Sequence, residues 1–229
     1  MSLISAPKSI LKSRKFSHLL NKTAKRVLDI SVSSAALVAV SPILIYASYK
    51  IKKEDNGPIL FKQKRSGLNN EPFEMYKFRS MKTDNNIIGT HSDKKENPFE
   101  LWEGKVPDDF VFKTASGHNP NVTNIGAFIR KYSIDELPQL INVLKGEMSV
   151  VGPRPEIVEI SKYYDSHQLR RLEVKPGITG WAQVNGRSDM NHGKKIEYDI
   201  FYVENQDFLL DIKILWMTFL QVIKGSGSV

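Results

Sequence analysis

Hydrophobic and polar positions are spread very unevenly along this chain. From Ile30 to Tyr49 it reads ISVSSAALVAVSPILIYASY, twenty residues without a charge. At 1.5 Å rise per residue, that is about the length one helix needs to cross a bilayer. Both flanks are basic. Lys8, Lys12, Arg14, Lys15, Lys22, Lys25 and Arg26 precede the run, and Lys50, Lys52, Lys53, Lys62, Lys64 and Arg65 follow it. Lys and Arg favour the cytoplasmic side, so both ends ask for the same side of the membrane. A straight span cannot satisfy that; a helix that enters one leaflet, bends and returns can. Pro42 supplies a cause for the bend, because proline removes an i to i−4 hydrogen bond. The Ser41 hydroxyl beside it is able to satisfy a carbonyl freed by the break. A kinked full span and a buried core helix compete with this re-entrant reading. A signal peptide does not, because the run starts behind a long basic leader and no A-x-A pattern follows.

The rest of the chain is patterned more conventionally. Residues 1–23 are polar and basic, and are expected to be a poorly ordered leader lying near anionic headgroups. Ile59–Gln63 and Phe73–Phe78 alternate as two short strands, joined by the polar loop Arg65–Pro72. Residues 82–121 are rich in Asn, Asp, Lys and Gly and predict a long mobile loop or insertion. From Val122 onward helical periodicity dominates, with short loops at Gly146, Gly152–Pro155 and Lys175–Asn185. Asp207–Lys224 has only Asp211 and Lys213 charged inside it, so it should pack into the core or lie in a membrane interface. The fold class expected is mixed α/β, predominantly helical with short strands.

Composition narrows the function classes. The 229 residues are 41% hydrophobic and 25% charged, which supports a packed domain of ordinary size. The absence of cysteine excludes a disulfide scaffold, a thiolate zinc site and a cysteine nucleophile. A net charge of +8 suits nucleic acid, an anionic leaflet or a phosphorylated substrate, and composition does not separate them.

Three clusters could carry chemistry. Ser133-Ile-Asp-Glu-Leu-Pro138 reads as a capping box opening a helix over Leu137–Leu144. The same geometry places the adjacent carboxylates Asp135 and Glu136 at a helix N-terminus, whose dipole favours their ionised forms. An ionised aspartate can attack phosphorus, and a neighbouring carboxylate can bind Mg²⁺ together with phosphate oxygens. The second cluster, Gly152-Pro-Arg154-Pro-Glu156, is a rigid turn presenting one guanidinium, suited to bidentate phosphate binding or to a structural ion pair. The third, Lys175 to Arg187, has three glycines and one proline and reads as a shaped loop. Within it Trp181 could stack on a base, while Gln183, Asn185 and Arg187 could reach a base or phosphate; a buried Trp181 in a purely structural loop is the alternative. Arg130 and Lys77–Arg79 add cations that could meet phosphates. His91, His118, His167 and His192 show no paired metal spacing.

Taken in order, these pieces resemble the small monotopic phosphoglycosyl transferases, the bacterial sugar transferase family, over about Lys25 to Gly225. The resemblance rests on Lys25-Arg-Val-Leu-Asp29, the Ser41–Pro42 break, Tyr76-Lys-Phe-Arg-Ser-Met81, Ser133 to Gln139, Leu144-Lys-Gly-Glu-Met-Ser149, Gly152-Pro-Arg-Pro155 and Pro176 to Arg187. It implies a re-entrant helix-break-helix anchor over 24–54, with further helices in the interface, and a catalytic domain over 55–229 on the cytoplasmic face of the bacterial plasma membrane. It implies that Asp135 attacks the sugar-bearing phosphate of a UDP-sugar, releases UMP and passes the phosphosugar to polyprenyl phosphate. Glu136 would coordinate Mg²⁺, Arg130 and Arg154 would grip phosphates with help from Lys77, and Asp199 matches a polar position of the family's site. Two departures stand out: Glu147 where the family often has Asp, and the long 82–121 loop. The family suggests monomers or dimers. A turnover-free membrane scaffold is disfavoured by the presence of both carboxylates. A nucleic-acid-binding protein is disfavoured by the apolar Ile30–Tyr49 run.

Overall fold

The computed structural model describes residues 8–82, 102, 104–111, 121–186 and 190–223. Helix α1, Lys8–Asp55, is 48 residues long. It begins inside the segment expected to be a poorly ordered leader. It also runs without interruption through Ser41 and Pro42, where the sequence led us to expect a break. The Ser41 hydroxyl donates to the Val38 carbonyl at 2.8 Å. That carbonyl lies four residues before Pro42, so the acceptor orphaned by the missing proline N–H is filled locally. Within α1, Lys22–Glu54 is long and apolar enough to cross a membrane, and only 11% of its most apolar window is buried in the fold. A core helix would be covered, so that reading falls.

What α1 does touch is at its two flanks. On the N-terminal side, Lys25 Nζ donates to Asp211 (2.7 Å), Tyr202 Oη (3.1 Å) and the Val151 carbonyl (2.9 Å). Asp29 Oδ1 accepts from Ser149 Oγ and Val150 N, both at 2.8 Å. On the C-terminal side, Ala47 and Ile51 are buried against Phe78 and Ile129. Glu54 accepts the Asn124 and Ile125 amides, satisfying two orphan donors at the start of the next helix.

The domain that receives both flanks is built from short elements. Strands β1, Leu60–Ser66, and β2, Pro72–Phe78, form an antiparallel hairpin registering Leu60 with Phe78 and Ser66 with Pro72. Helices α2, Asn124–Lys131, and α3, Gln139–Lys145, follow. Strand β3, Ser149–Val151, pairs in parallel with β5, Gly177–Thr179, while β4, Glu156–Ile157, joins the edge of β1. Short helices α4, Val158–Ser161, and α5, Ser166–Leu169, lie between β4 and β5. Helices α6, Trp181–Asn185, α7, His192–Asn205, and α8, Phe208–Ile223, complete the chain. The segment expected to be neither strand nor helix therefore contains β5 and α6. Its strand exists only by pairing with β3, a contact that periodicity over three residues cannot reveal.

The stretch read as a mobile loop is anchored where it is described. Val106 is fully buried with Ile160, Tyr164, Leu172, Ile196 and Ile200, and Trp102 and Phe110 pack against that cluster. The buried Gln168 side chain holds Val106 from both sides, donating to its carbonyl at 2.8 Å and accepting its amide at 3.2 Å. Helix α8 buries only Asp211 and Ile214, leaving Leu209, Trp216, Val222 and Ile223 more than half exposed. One face of α8, with Ile214, Leu210, Leu215 and Met217, packs on the core around Tyr202, and its other face is apolar and exposed.

Candidate active site around Asp135 and Glu136

The carboxylate pair does not open a helix as a capping box would. Ile134–Glu136 form a single 3₁₀ turn, and Ser133 is in the left-handed region at φ 53° with no capping hydrogen bond. Helix α3 starts only at Gln139, after Pro138. Proline is tolerated there because its missing N–H is not needed at a helix start. Ile134 packs onto the cluster formed by Ala47, Ile51, Phe78 and Ile129. The turn bearing the carboxylates thus packs on the cluster where β2, α2 and the C-terminal flank of α1 meet.

The two carboxylates sit in opposite electrostatic settings. Glu136 Oε1 accepts Lys77 Nζ at 2.9 Å from β2 and Arg154 Nη2 at 2.6 Å from the Gly-Pro-Arg-Pro turn. Its Oε2 has a single longer contact, Arg154 Nη1 at 3.3 Å. Burial alone would raise the Glu136 pKa, but Arg154 and then Lys77 overcome it and bring it to about 2. Asp135 accepts no side-chain hydrogen bond among the described residues. Burial first, and the Glu136 charge second, push its pKa up against the pull of Lys77 and Arg130. Adjacent carboxylates with pKa values driven apart are an arrangement typical of divided chemical roles.

Arg130, at the end of α2, is held by Ser80, its Nε donating to Ser80 Oγ at 2.8 Å. Lys77 and Arg154 therefore contact Glu136, and Arg130 lies close enough for its charge to act on Asp135. Arg65 on β1, not singled out as a candidate, also lies close: its Nη1 donates to the Pro155 carbonyl at 3.4 Å, and Glu136 and Arg154 both act on its charge. Nothing in a strand's alternation marks which outward arginine meets a distant turn.

The remaining candidates are elsewhere. Trp181 stacks on Phe201 at 5.4 Å with Lys213 over its ring, and packs against the core around Tyr202. One side of its ring is thus given to packing, and the residue is partly buried. Asn185 donates back to the Trp181 carbonyl, closing α6. Gln183 has both side-chain polar atoms buried without a partner. Arg187 lies outside the described residues. Asp199 is 1% exposed and bonds Arg171 rather than facing the carboxylate pair. Glu147 accepts from Asn142, which itself ties α3 to β2.

The glycines of the third cluster have a packing role. A Cβ on Gly177 would fall 2.1 Å from Gly152 N, and one on Gly180 2.2 Å from Gly152 O. The two backbones meet through Gly152 N to Thr179 O and Gly177 N to Pro153 O, both at 2.8 Å. The Pro-Gly-Ile-Thr-Gly loop is thus the bed on which the arginine-bearing turn lies.

The family description for bacterial sugar transferases matches residues 20–225, spanning the anchor, the carboxylate turn, the arginine turn and its bed. The chain belongs to the bacterial sugar transferase family. It is 40% identical over 203 residues to an uncharacterised sugar transferase, EpsL, of Bacillus subtilis, covering 89% of each chain. It is 38% identical over 214 residues to the UDP-glucose:undecaprenyl-phosphate glucose-1-phosphate transferase of Escherichia coli, covering 90% of this chain and 40% of that one. It is 39% identical over 209 residues to the undecaprenyl-phosphate galactose phosphotransferase of Salmonella typhimurium, covering 89% and 41%. The chain spans about two-fifths of the length of these last two relatives. Among its described residues the sugar transferase gathers no group of three or more His, Cys, Asp or Glu. Any metal at the pair would thus be held by one or two carboxylates with substrate oxygens. That donor set suits Mg²⁺, a hard cation, and Glu136 Oε2, with only one long contact, is the oxygen open to it.

Proposed function

We propose that this chain transfers a sugar-1-phosphate from a UDP-sugar to a polyprenyl phosphate, such as undecaprenyl phosphate, through a phosphosugar carried on Asp135. The observation that carries the reading is the split between two adjacent carboxylates, one clamped by cations and one left without a side-chain donor. The free one is the nucleophile. An Asp135 oxygen attacks the sugar-bearing phosphorus, and the phosphoanhydride bond breaks with its electron pair leaving on UMP. An oxygen of the lipid phosphate then attacks the same phosphorus, the acyl-phosphate bond breaks, and Asp135 returns as carboxylate. The raised pKa of Asp135 makes it the more basic and more nucleophilic of the two when ionised. Arg130 and Lys77 lie where they would offset charge on the entering phosphates. Glu136 would hold Mg²⁺, which when bound neutralises phosphoryl oxygen charge.

The lipid acceptor fits where the pair is seated. Asp135 follows Ile134, which packs on the cluster that α1 shares with β2 and α2, so the pair lies in the part of the domain that meets the anchor. The basic residues on both sides of the apolar run support a re-entrant anchor at the cytoplasmic face, and both flanks of α1 dock on the same domain. The relatives named for glucose and galactose leave the sugar to experiment.

Detergent-solubilised protein incubated with Mg²⁺, undecaprenyl phosphate and a panel of UDP-sugars should release UMP with at least one donor. Asp135→Asn should lower that release by about 10³-fold or more, as loss of a covalent nucleophile does. Release of UDP instead would mean ordinary glycosyl transfer and would sink the phosphosugar route.

A further inference from the structure

We infer that Asp199 and Arg171 are positioning residues that act on the site through the backbone of Arg154, without touching substrate. The inference rests on the proposed reaction only for its readout.

Arg171 follows α5 and is 1% exposed. Its guanidinium makes four hydrogen bonds and an ion pair. Nε donates to Asp199 Oδ2 at 2.9 Å, and Nη1 donates to Glu156 Oε2 at 2.9 Å and Tyr164 Oη at 2.8 Å. Nη2 lies 2.7 Å from Asp199 Oδ2 and donates to the Arg154 carbonyl at 2.9 Å. A single nitrogen thus joins the α7 carboxylate to the backbone of the arginine turn. Tyr164 Oη in turn donates to Glu156 Oε2 at 3.0 Å.

The significance lies in what is left free at Arg154. The proline that follows restricts Arg154 to extended conformations. Local sterics fix the shape of the turn but not its placement in the fold, and Arg171 ties it down by holding the Arg154 carbonyl. With the carbonyl held, the side chain of Arg154, half exposed, reaches Glu136 at 2.6 Å. The path from Asp199 to the carboxylate pair therefore passes through Arg171, the Arg154 backbone and the Arg154 guanidinium. Asp199 has no surface to offer a sugar or phosphate, and its second oxygen has no hydrogen-bond partner. The family resemblance places Asp199 among polar site residues; the geometry gives it an indirect role.

A double-mutant cycle separates the two roles. UMP release would be measured at saturating donor for wild type, Asp199→Asn, Arg154→Lys and the double variant, with melting curves confirming that each is folded. If Asp199 works through Arg154, Asp199→Asn lowers kcat by roughly 10-fold in the wild type but by less than about 2-fold in the Arg154→Lys background. Donor KM changes little in the single variant. Losses that multiply across the cycle, or a KM effect equal to the whole loss, overturn the inference and put Asp199 on the substrate. Should Asp199→Asn fail to fold, Tyr164→Phe removes one hydroxyl from the same guanidinium and reads the same coupling. A wild type that releases no UMP from any donor would instead overturn the proposed function.

Discussion

At the scale of single residues, the chain keeps several ionisable groups in states that water would not allow. His192 illustrates it. It is 3% exposed, its Nε2 has no partner, and burial followed by the Arg171 charge pushes its pKa down to about 4. Glu156, Lys195 and Asp108 also face it, with Glu156 and Asp108 opposing the shift. Between about pH 4 and 6.5 the unfolded chain binds a proton at this position that the native chain refuses. The unfolded state holds more protons there, so stability falls as pH drops through that window, by on the order of 3 kcal/mol for a shift of this size. Urea unfolding at pH 7 and pH 4.5 should show His192→Gln losing less stability on acidification than the wild type. Equal losses would mean that His192 is already protonated in the fold. Arg171 teaches the same lesson from the other side. A lone arginine in a polar stretch reads as a solvated charge, and only its four acceptors, on Asp199, Glu156, Tyr164 and the Arg154 carbonyl, mark it as a keystone.

At the scale of elements, close approach of backbones sets the site. Gly126 is in the first turn of α2, where a Cβ would lie 2.1 Å from the Ser80 carbonyl oxygen and 2.7 Å from its carbon. That contact lets Arg130, one turn later, meet the Ser80 hydroxyl. Gly126→Ala gains helix propensity but must push α2 off the end of β2, so a net loss of about 1–3 kcal/mol is expected, as for other overpacked sites. Activity should fall further than stability, because Arg130 moves with the helix. Thermal melts alongside UMP assays would check both; an unchanged or raised melting temperature would show that α2 is not seated as described. The hairpin β1–β2 and helices α2, α3, α7 and α8 follow closely the pattern of apolar positions in the chain. The capping box did not form, because Ser133 takes a left-handed conformation and Pro138 delays the helix by two residues. Local sequence rules describe an isolated helix start, and here the turn is held instead by Ile134 on the cluster of Ala47, Ile51, Phe78 and Ile129 and by Glu136 on two cations.

At the scale of the whole molecule, the α1 flanks and the domain form one unit. A continuous helix from Lys25 to Glu54 is about 43 Å long at 1.5 Å per residue, and both of its ends are held by the same domain. Because the chain has no cysteine, single cysteines at Lys22 and Lys53 can be introduced without background. In intact cells neither should react with a membrane-impermeant maleimide, and both should react after lysis. Labelling of one position alone in intact cells would show that α1 spans. The apolar run, its basic flanks, the carboxylate pair and the arginine turn were all legible in the chain, because each is a property of neighbouring residues. Hydrophobic length, charge sign and proline rigidity need no partner. The pairing of β3 with β5, the docking of Val106, the clamp on Glu136 and the enclosure of Asp199 by Arg171 join residues tens of positions apart. Those contacts are decided when packing brings distant backbones within hydrogen-bond reach, and a one-dimensional pattern carries no record of that distance.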